Sequence, residues 1–98
     1  MSKTNAGNFF EDFTIGRVLT HATPLTLTKG DASLYRALYG TRTAVQSADS
    51  FAQAIGYAQA PLDDLLVFHA VFGKTVPDIS LNAVANLGYA EGAFHAAV

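Results

Sequence analysis

The stretch that most constrains this fold is residues 61–76, P-L-D-D-L-L-V-F-H-A-V-F-G-K-T-V. A proline near the start and two aspartates in the first turn suit the positive end of a helix dipole. Over residues 65–72 the apolar side chains point all round the helix, broken only by His69. A helix without a polar stripe must be buried over most of its surface. The expectation is therefore a core helix, with the neighbouring segments wrapped around it.

The rest of the chain supplies little else to build a core from. Ninety-eight residues make one domain, near the lower edge of single-core size. Half the residues are hydrophobic and 14% charged, with a net charge of −2, a globular composition far from the disordered class. So little charge on so small a chain points to apolar surface that meets another chain or another domain. Six basic residues, never clustered, leave no electrostatic footprint for nucleic acid. The absence of cysteine removes disulfides, thiolate nucleophiles and cysteine-bearing metal sites from this chain. The first residues show no continuous apolar signal segment, and the longest apolar run is too short to span a bilayer. A cytoplasmic protein with no membrane partner is expected.

Taken in order, residues 1–8 are small and polar and read as a flexible leader. Phe9, Phe10, Phe13 and Ile15 form an aromatic patch that must pack on something. Residues 19–27 alternate with β-branched side chains and predict a strand with a break at Pro24. Thr28 offers an N-cap, and Asp31 three residues on makes a capping box with Asp in place of Glu. Leu34, Tyr35, Leu38 and Tyr39 follow at helical spacing, and Gly40 is a natural C-cap. A second short helix is expected over residues 48–55, capped by Ser47 and ended by Gly56. After the apolar helix, residues 79–87 alternate again and residues 94–98 continue after a phase change, predicting a long bulged strand or a hairpin. Gly30, Gly40 and Gly88 read as turn positions. The strands are too few to cover a helix that is apolar all round. Either they come from a partner or this is the front part of something longer, the second being favoured.

At this point several stretches become recognisable: G-N-F-F-E-D-F at 7–13, H-A-T-P-L-T-L-T-K-G-D at 21–31, L-Y-R-A-L-Y-G-T-R at 34–42, and P-L-D-D-L-L-V-F-H-A-V-F-G-K-T-V-P-D-I-S-L-N-A-V-A-N-L-G-Y-A-E-G at 61–92. Together they resemble the MaoC-like hydratase/dehydratase family. The likeness covers nearly the whole chain but only the first part of such an enzyme. It implies an α+β hot-dog fold, a long central helix wrapped by an antiparallel sheet, incomplete in this chain. Residues 9–98 would be the N-terminal portion of that domain. The implied activity is reversible hydration of mesaconyl-CoA to β-methylmalyl-CoA, with the acyl-CoA thioester as partner. No separate cofactor or metal is implied, since CoA is part of the substrate. A second hot-dog half or a homo-oligomer would complete the fold.

In the family an Asp and a His activate one water as general acid and base, from a loop written Gly-Asp-x-Asn-Pro-x-His with an Asp shortly after. Here that loop reads Gly40-Thr41-Arg42-Thr43-Ala44-Val45-Gln46, followed by Asp49. Thr41 stands where the acid would be and Gln46 where the histidine would be, and neither can shuttle a proton at neutral pH. The His-Gly that usually opens the central helix is Asp63-Asp64. The resemblance therefore implies a half without the catalytic dyad, whose Thr41, Arg42, Gln46, Asp63 and Asp64 face the acyl-CoA without reacting. The chain alone is expected to be inactive, and a stand-alone hot-dog module that binds without turnover is the alternative.

Each of these residues has a plainer reading. Arg42 is either a bidentate partner for a free carboxylate or a solvated loop arginine. Asp63 and Asp64 are either first-turn helix acids or carboxylates at a pocket mouth. Tyr35 and Tyr39 read as packing residues, His69 as a hydrogen-bonded core histidine, and His21 as packing or interface. The three histidines lack paired-ligand spacing and no G-x-S-x-G is present, so zinc and serine chemistry carry little weight.

Overall fold

The computed structural model describes residues 6–98. A short 3-10 turn, Phe10–Asp12, is followed by four helices: α1, Lys29–Tyr39; α2, Ala44–Ser47; α3, Asp49–Ala54; and α4, Asp64–Ile79. No strand forms among the described residues. None of these helices is long and apolar enough to cross a membrane.

Helix α1 forms where its local signals place it. Thr28 Oγ1 accepts from the Asp31 backbone N–H at 3.4 Å, and the Asp31 carboxylate accepts from the Thr28 N–H at 2.8 Å. The box closes both ways, satisfying two donors that a helix start otherwise leaves unpaired. At the other end Gly40 takes φ 70° and donates its N–H to the Arg36 carbonyl at 2.9 Å. A side chain there would strain the backbone. Gly30, read as a turn glycine, lies instead in the first turn of α1.

The helix expected over residues 48–55 forms as α3, and a further short helix, α2, precedes it. Ala48, extended at φ −139° and ψ 121°, separates α2 from α3. Ser47 caps neither, because its hydroxyl donates back to the Ala44 carbonyl at 3.2 Å. Asp49 instead accepts from the Ala60 N–H at 2.8 Å, tying the start of α3 to the loop that follows it.

Helix α4 starts three residues later than Pro61 and runs past Val76. Asp63 is its cap: one carboxylate oxygen accepts from the Leu65 N–H at 2.8 Å, and its carbonyl accepts from Val67 at 3.1 Å. Pro77 sits inside the helix and removes the donor that would reach the Gly73 carbonyl. The turn still closes, with Ser80 N–H to the Val76 carbonyl at 3.0 Å.

Two compact units divide the chain, and α4 contributes to each. The first comprises residues 1–25 and 70–92. Within it the Asn8 amide donates to the Asp78 carbonyl at 2.7 Å, and the Asn82 amide to the Ala6 carbonyl at 2.9 Å. His21 Nδ1 lies 2.7 Å from the Asp78 carboxylate, a polar tether in place of the packing or interface role expected of it. Gly7, at φ 75°, lets its backbone approach Asn82, whose amide nitrogen would lie 2.7 Å from an added Cβ. Phe72 meets Tyr89 edge to face at 5.7 Å. The residues 1–5 of the expected leader lie outside the described residues. The second unit, residues 26–69 and 93–98, holds α1 to α3 and the first part of α4.

The expected β-elements, and with them the sheet of the α+β reading, are corrected here. Residues 19–27 run without regular structure, and residues 80–82 turn back through Ala83 N–H to the Ser80 carbonyl at 3.0 Å. An alternating segment becomes a strand only when a neighbour supplies the ladder, and fewer than three strands are rarely stable in water. Residues 19–27 and 79–98 have no such neighbour among the described residues. The only backbone bond from the last stretch to the segment before α4 is Leu62 N–H to the Val98 carbonyl, 2.8 Å.

The expectation of a buried α4 is overturned for the same reason. No residue of α4 is buried, and Leu65 and Val71 remain 57% and 60% exposed. Among the described residues the only buried apolar side chains are Ala32 and Ala52. The chain's accessible surface is 7829 Å², whereas a folded monomer of its mass exposes about 5,400 Å².

Candidate functional site

The residues singled out in the loop and at the helix start converge in the second unit. A cleft of about 1050 Å³ is lined by Arg42, Gln46, Asp63 and Asp64, together with Tyr35 and His69. Local structure explains each position. Gly40 ends α1 and turns the chain into the 40–46 loop, so Tyr35 on α1 and Arg42 on the loop reach the same space. The short α2 carries Gln46 inward, where it is 9% exposed. The cap geometry of α4 sets Asp63 and Asp64 at the cleft, with Leu65, Leu66 and Phe94 as apolar wall.

Thr41 stands apart from the other four. It is not part of the cleft lining, and its hydroxyl oxygen is shielded from solvent without a hydrogen-bond partner.

The charges in the cleft are one guanidinium and two carboxylates. Arg42 is exposed and ion-paired with no carboxylate among the described residues. Asp63 serves its capping role and faces the cleft at once, so the structural and the functional reading both hold for it. Asp64 is an exposed first-turn acid. The hydroxyl of Tyr35, a half-buried side chain, is held above the usual tyrosine pKa. Loss of solvation is the main cause, followed by the Asp63 carboxylate and the neighbouring Tyr39. The two tyrosine rings tilt against each other at 5.0 Å.

One residue was misplaced by pattern alone. His69, read as a core histidine, is exposed and lines the cleft. It makes no ion pair with Asp63 or Asp64 among the described residues. Tyr35 packs on Tyr39 as its spacing implied, and it lines the cleft as well. Its place one turn before the Gly40 loop was the available signal, since the end of a helix shares the surroundings of the loop it feeds.

Chemically the cleft offers hydrogen-bond donors of three kinds (guanidinium, amide and phenol) beside carboxylate acceptors and an apolar wall. No family model matches the chain. Among curated proteins, those it is similar to are CoA-ester hydratases and dehydratases. It is 64% identical over 97 residues to the beta-methylmalyl-CoA dehydratase of Chloroflexus aurantiacus, covering 99% of this chain and 28% of that protein. It is 62% identical over 90 residues to the mesaconyl-CoA hydratase of Cereibacter sphaeroides, covering 92% of this chain and 26% of that protein. Identity at this level along nearly the whole chain makes it a homologue of these two hydro-lyases over the stretch it covers. The chain spans just over a quarter of their length.

Proposed function

We propose that this chain forms part of an enoyl-CoA hydro-lyase that reversibly hydrates mesaconyl-CoA to β-methylmalyl-CoA. It would be the N-terminal, non-catalytic portion of that enzyme. The observation that carries this reading is the identity of 62–64% to two proteins named for that pair of thioesters. The cleft supports the binding half of the role. Arg42 is free to take the carboxylate of a dicarboxylic acyl group in a two-point hydrogen bond, and Gln46, Asp63 and Asp64 shape the surrounding wall.

The chemistry belongs elsewhere in the enzyme. Hydration needs a proton acceptor for water and a donor for the α-carbon, positioned within hydrogen-bond reach. Thr41 and Gln46 provide neither, and His69 is not coupled to an acid here. No cofactor is needed for this addition, because the thioester itself activates the double bond. A cytoplasmic location accords with this reading, and the cysteine-free sequence is compatible with it.

The same reading accounts for the open surface. The family's hot-dog sheet would wrap α4, using segments such as 19–27 and 79–98 once neighbouring strands from a second half or another copy pair with them. The exposed apolar side chains of α4, Leu65 and Val71 among them, are what such wrapping would cover.

The test follows loss of the enoyl-thioester absorbance of mesaconyl-CoA. The polypeptide of the complete open reading frame is expected to hydrate it, and the 98-residue chain alone is expected to show no turnover. Turnover by the short chain would sink the non-catalytic assignment. Binding without turnover by the complete polypeptide would favour the second reading, a non-catalytic acyl-CoA module, to which the replaced Thr41 and Gln46 already point.

A further inference from the structure

One side chain in the cleft wall has a bonding capacity that the protein leaves unused. Gln46 is nine-tenths buried, lines the cleft, and its amide has no hydrogen-bond partner among the described residues. The rest of the side chain is held by packing, so the amide is fixed at the cleft wall with its hydrogen-bonding capacity open to whatever occupies the cleft. Its amide is not sealed off as the Thr41 hydroxyl is, so a group in the cleft can reach it. The Tyr35 hydroxyl faces the same cleft and likewise has no partner among the described residues.

Arg42 alone is a poor reader of a carboxylate in these surroundings. Asp63 and Asp64 line the same cleft, so its attraction for an anion is offset by two carboxylates. Neutral donors escape that difficulty, since an amide or a phenol adds a directed hydrogen bond and carries no charge to be cancelled. From these positions we infer that Gln46, with Tyr35 beside Arg42, determines specificity for an acyl group bearing a free carboxylate. The inference rests on the CoA-ester reading above and deepens it. A tyrosine phenol is protonated at neutral pH, as a donor must be. Discrimination follows from the mismatched case: an ester lacking the carboxylate displaces water from the amide and returns no acceptor, which rejects it more strongly than lost contact area would.

Calorimetric titration of the complete open reading frame's product tests this with two saturated, unreactive esters. They are methylsuccinyl-CoA, which carries the free carboxylate, and methylbutyryl-CoA, which does not. The wild type should favour the first by about tenfold or more, the loss expected when a hydrogen bond to a charged group is missing. Q46L should collapse that preference by weakening the dicarboxylic ester alone, and Y35F should do so in part. Q46E, nearly isosteric with the wild type, should reverse the preference by repulsion, and it keeps the test open if Q46L fails to fold. Equal weakening of both esters by Q46L, or no preference in the wild type, overturns the inference while the CoA-ester reading stands. Failure of the wild type to bind either ester overturns both.

Discussion

Helices α1 and α4 answer to different authorities. Helix α1 carries its own instructions: a reciprocal capping box at Thr28 and Asp31, a left-handed glycine at its end, and one buried residue, Ala32. Its ends would be marked in almost any surroundings. Helix α4 has a good start at Asp63 but an apolar surface that the described residues cover only in part, leaving none of its residues buried. Local hydrogen bonds can draw a helix, but only distant chain can bury one. The contrast separates what a segment specifies from what it demands.

The largest expected effect comes from supplying that distant chain. Phe68→Ala in α4 should cost about 3–5 kcal/mol in the complete polypeptide, the range for deleting a core aromatic. In the isolated 98 residues, where Phe68 is only half-buried, the same change should have little effect. The isolated chain should also self-associate in sedimentation and melt without a sharp transition. A monodisperse monomer with a cooperative melt would break the comparison, since α4 would then need no further cover.

A smaller effect sharpens the other side. Thr28→Ala removes the capping oxygen of α1 and should destabilise by about 1 kcal/mol, with the loss visible in helical circular dichroism. Because that cap is local, the cost should be alike in the short chain and the complete polypeptide. A cost confined to one of them would show that α1 also depends on its surroundings.

The smallest effect concerns the cleft itself. The folded-state pKa of Tyr35 lies above its unfolded value, so the native state holds this proton more tightly. Its contribution to stability is present at neutral pH and is lost as pH rises through the folded pKa. An ultraviolet titration should show one late tyrosine that Y35F removes. Asp63→Asn, which keeps a capping oxygen, should bring that transition earlier by removing a nearby negative charge. No change in D63N would place the effect in lost solvation alone.

Legibility in the sequence followed the same division. Thr28, Asp31 and Gly40 were readable because a cap involves neighbours three or four residues apart. The loop and helix-start residues were readable as a set through family resemblance, and Arg42, Gln46, Asp63 and Asp64 do line one cleft. Ser47 failed as a cap because its hydroxyl found the Ala44 carbonyl first, a competition between two local bonds that spacing cannot rank. The segments 19–27 and 79–98 carry a strand pattern without strand structure, since alternation describes a face to be buried and says nothing of whether a partner is present. His69 shows the converse error: apolar neighbours in sequence placed it in a core, yet on the folded helix it opens to the cleft.

The amino-acid order was enough to locate the ends of α1, the apolar character of α4, and the replacement of a proton-transferring pair by Thr41 and Gln46. Each depends on residue chemistry or on contacts within about one turn. Burial, the extra short helix α2 ahead of Ala48, and the meeting of Tyr35 with Gln46 and Asp63 in one cleft required the folded chain. Those outcomes depend on which distant groups arrive to compete for the same space and the same hydrogen bonds.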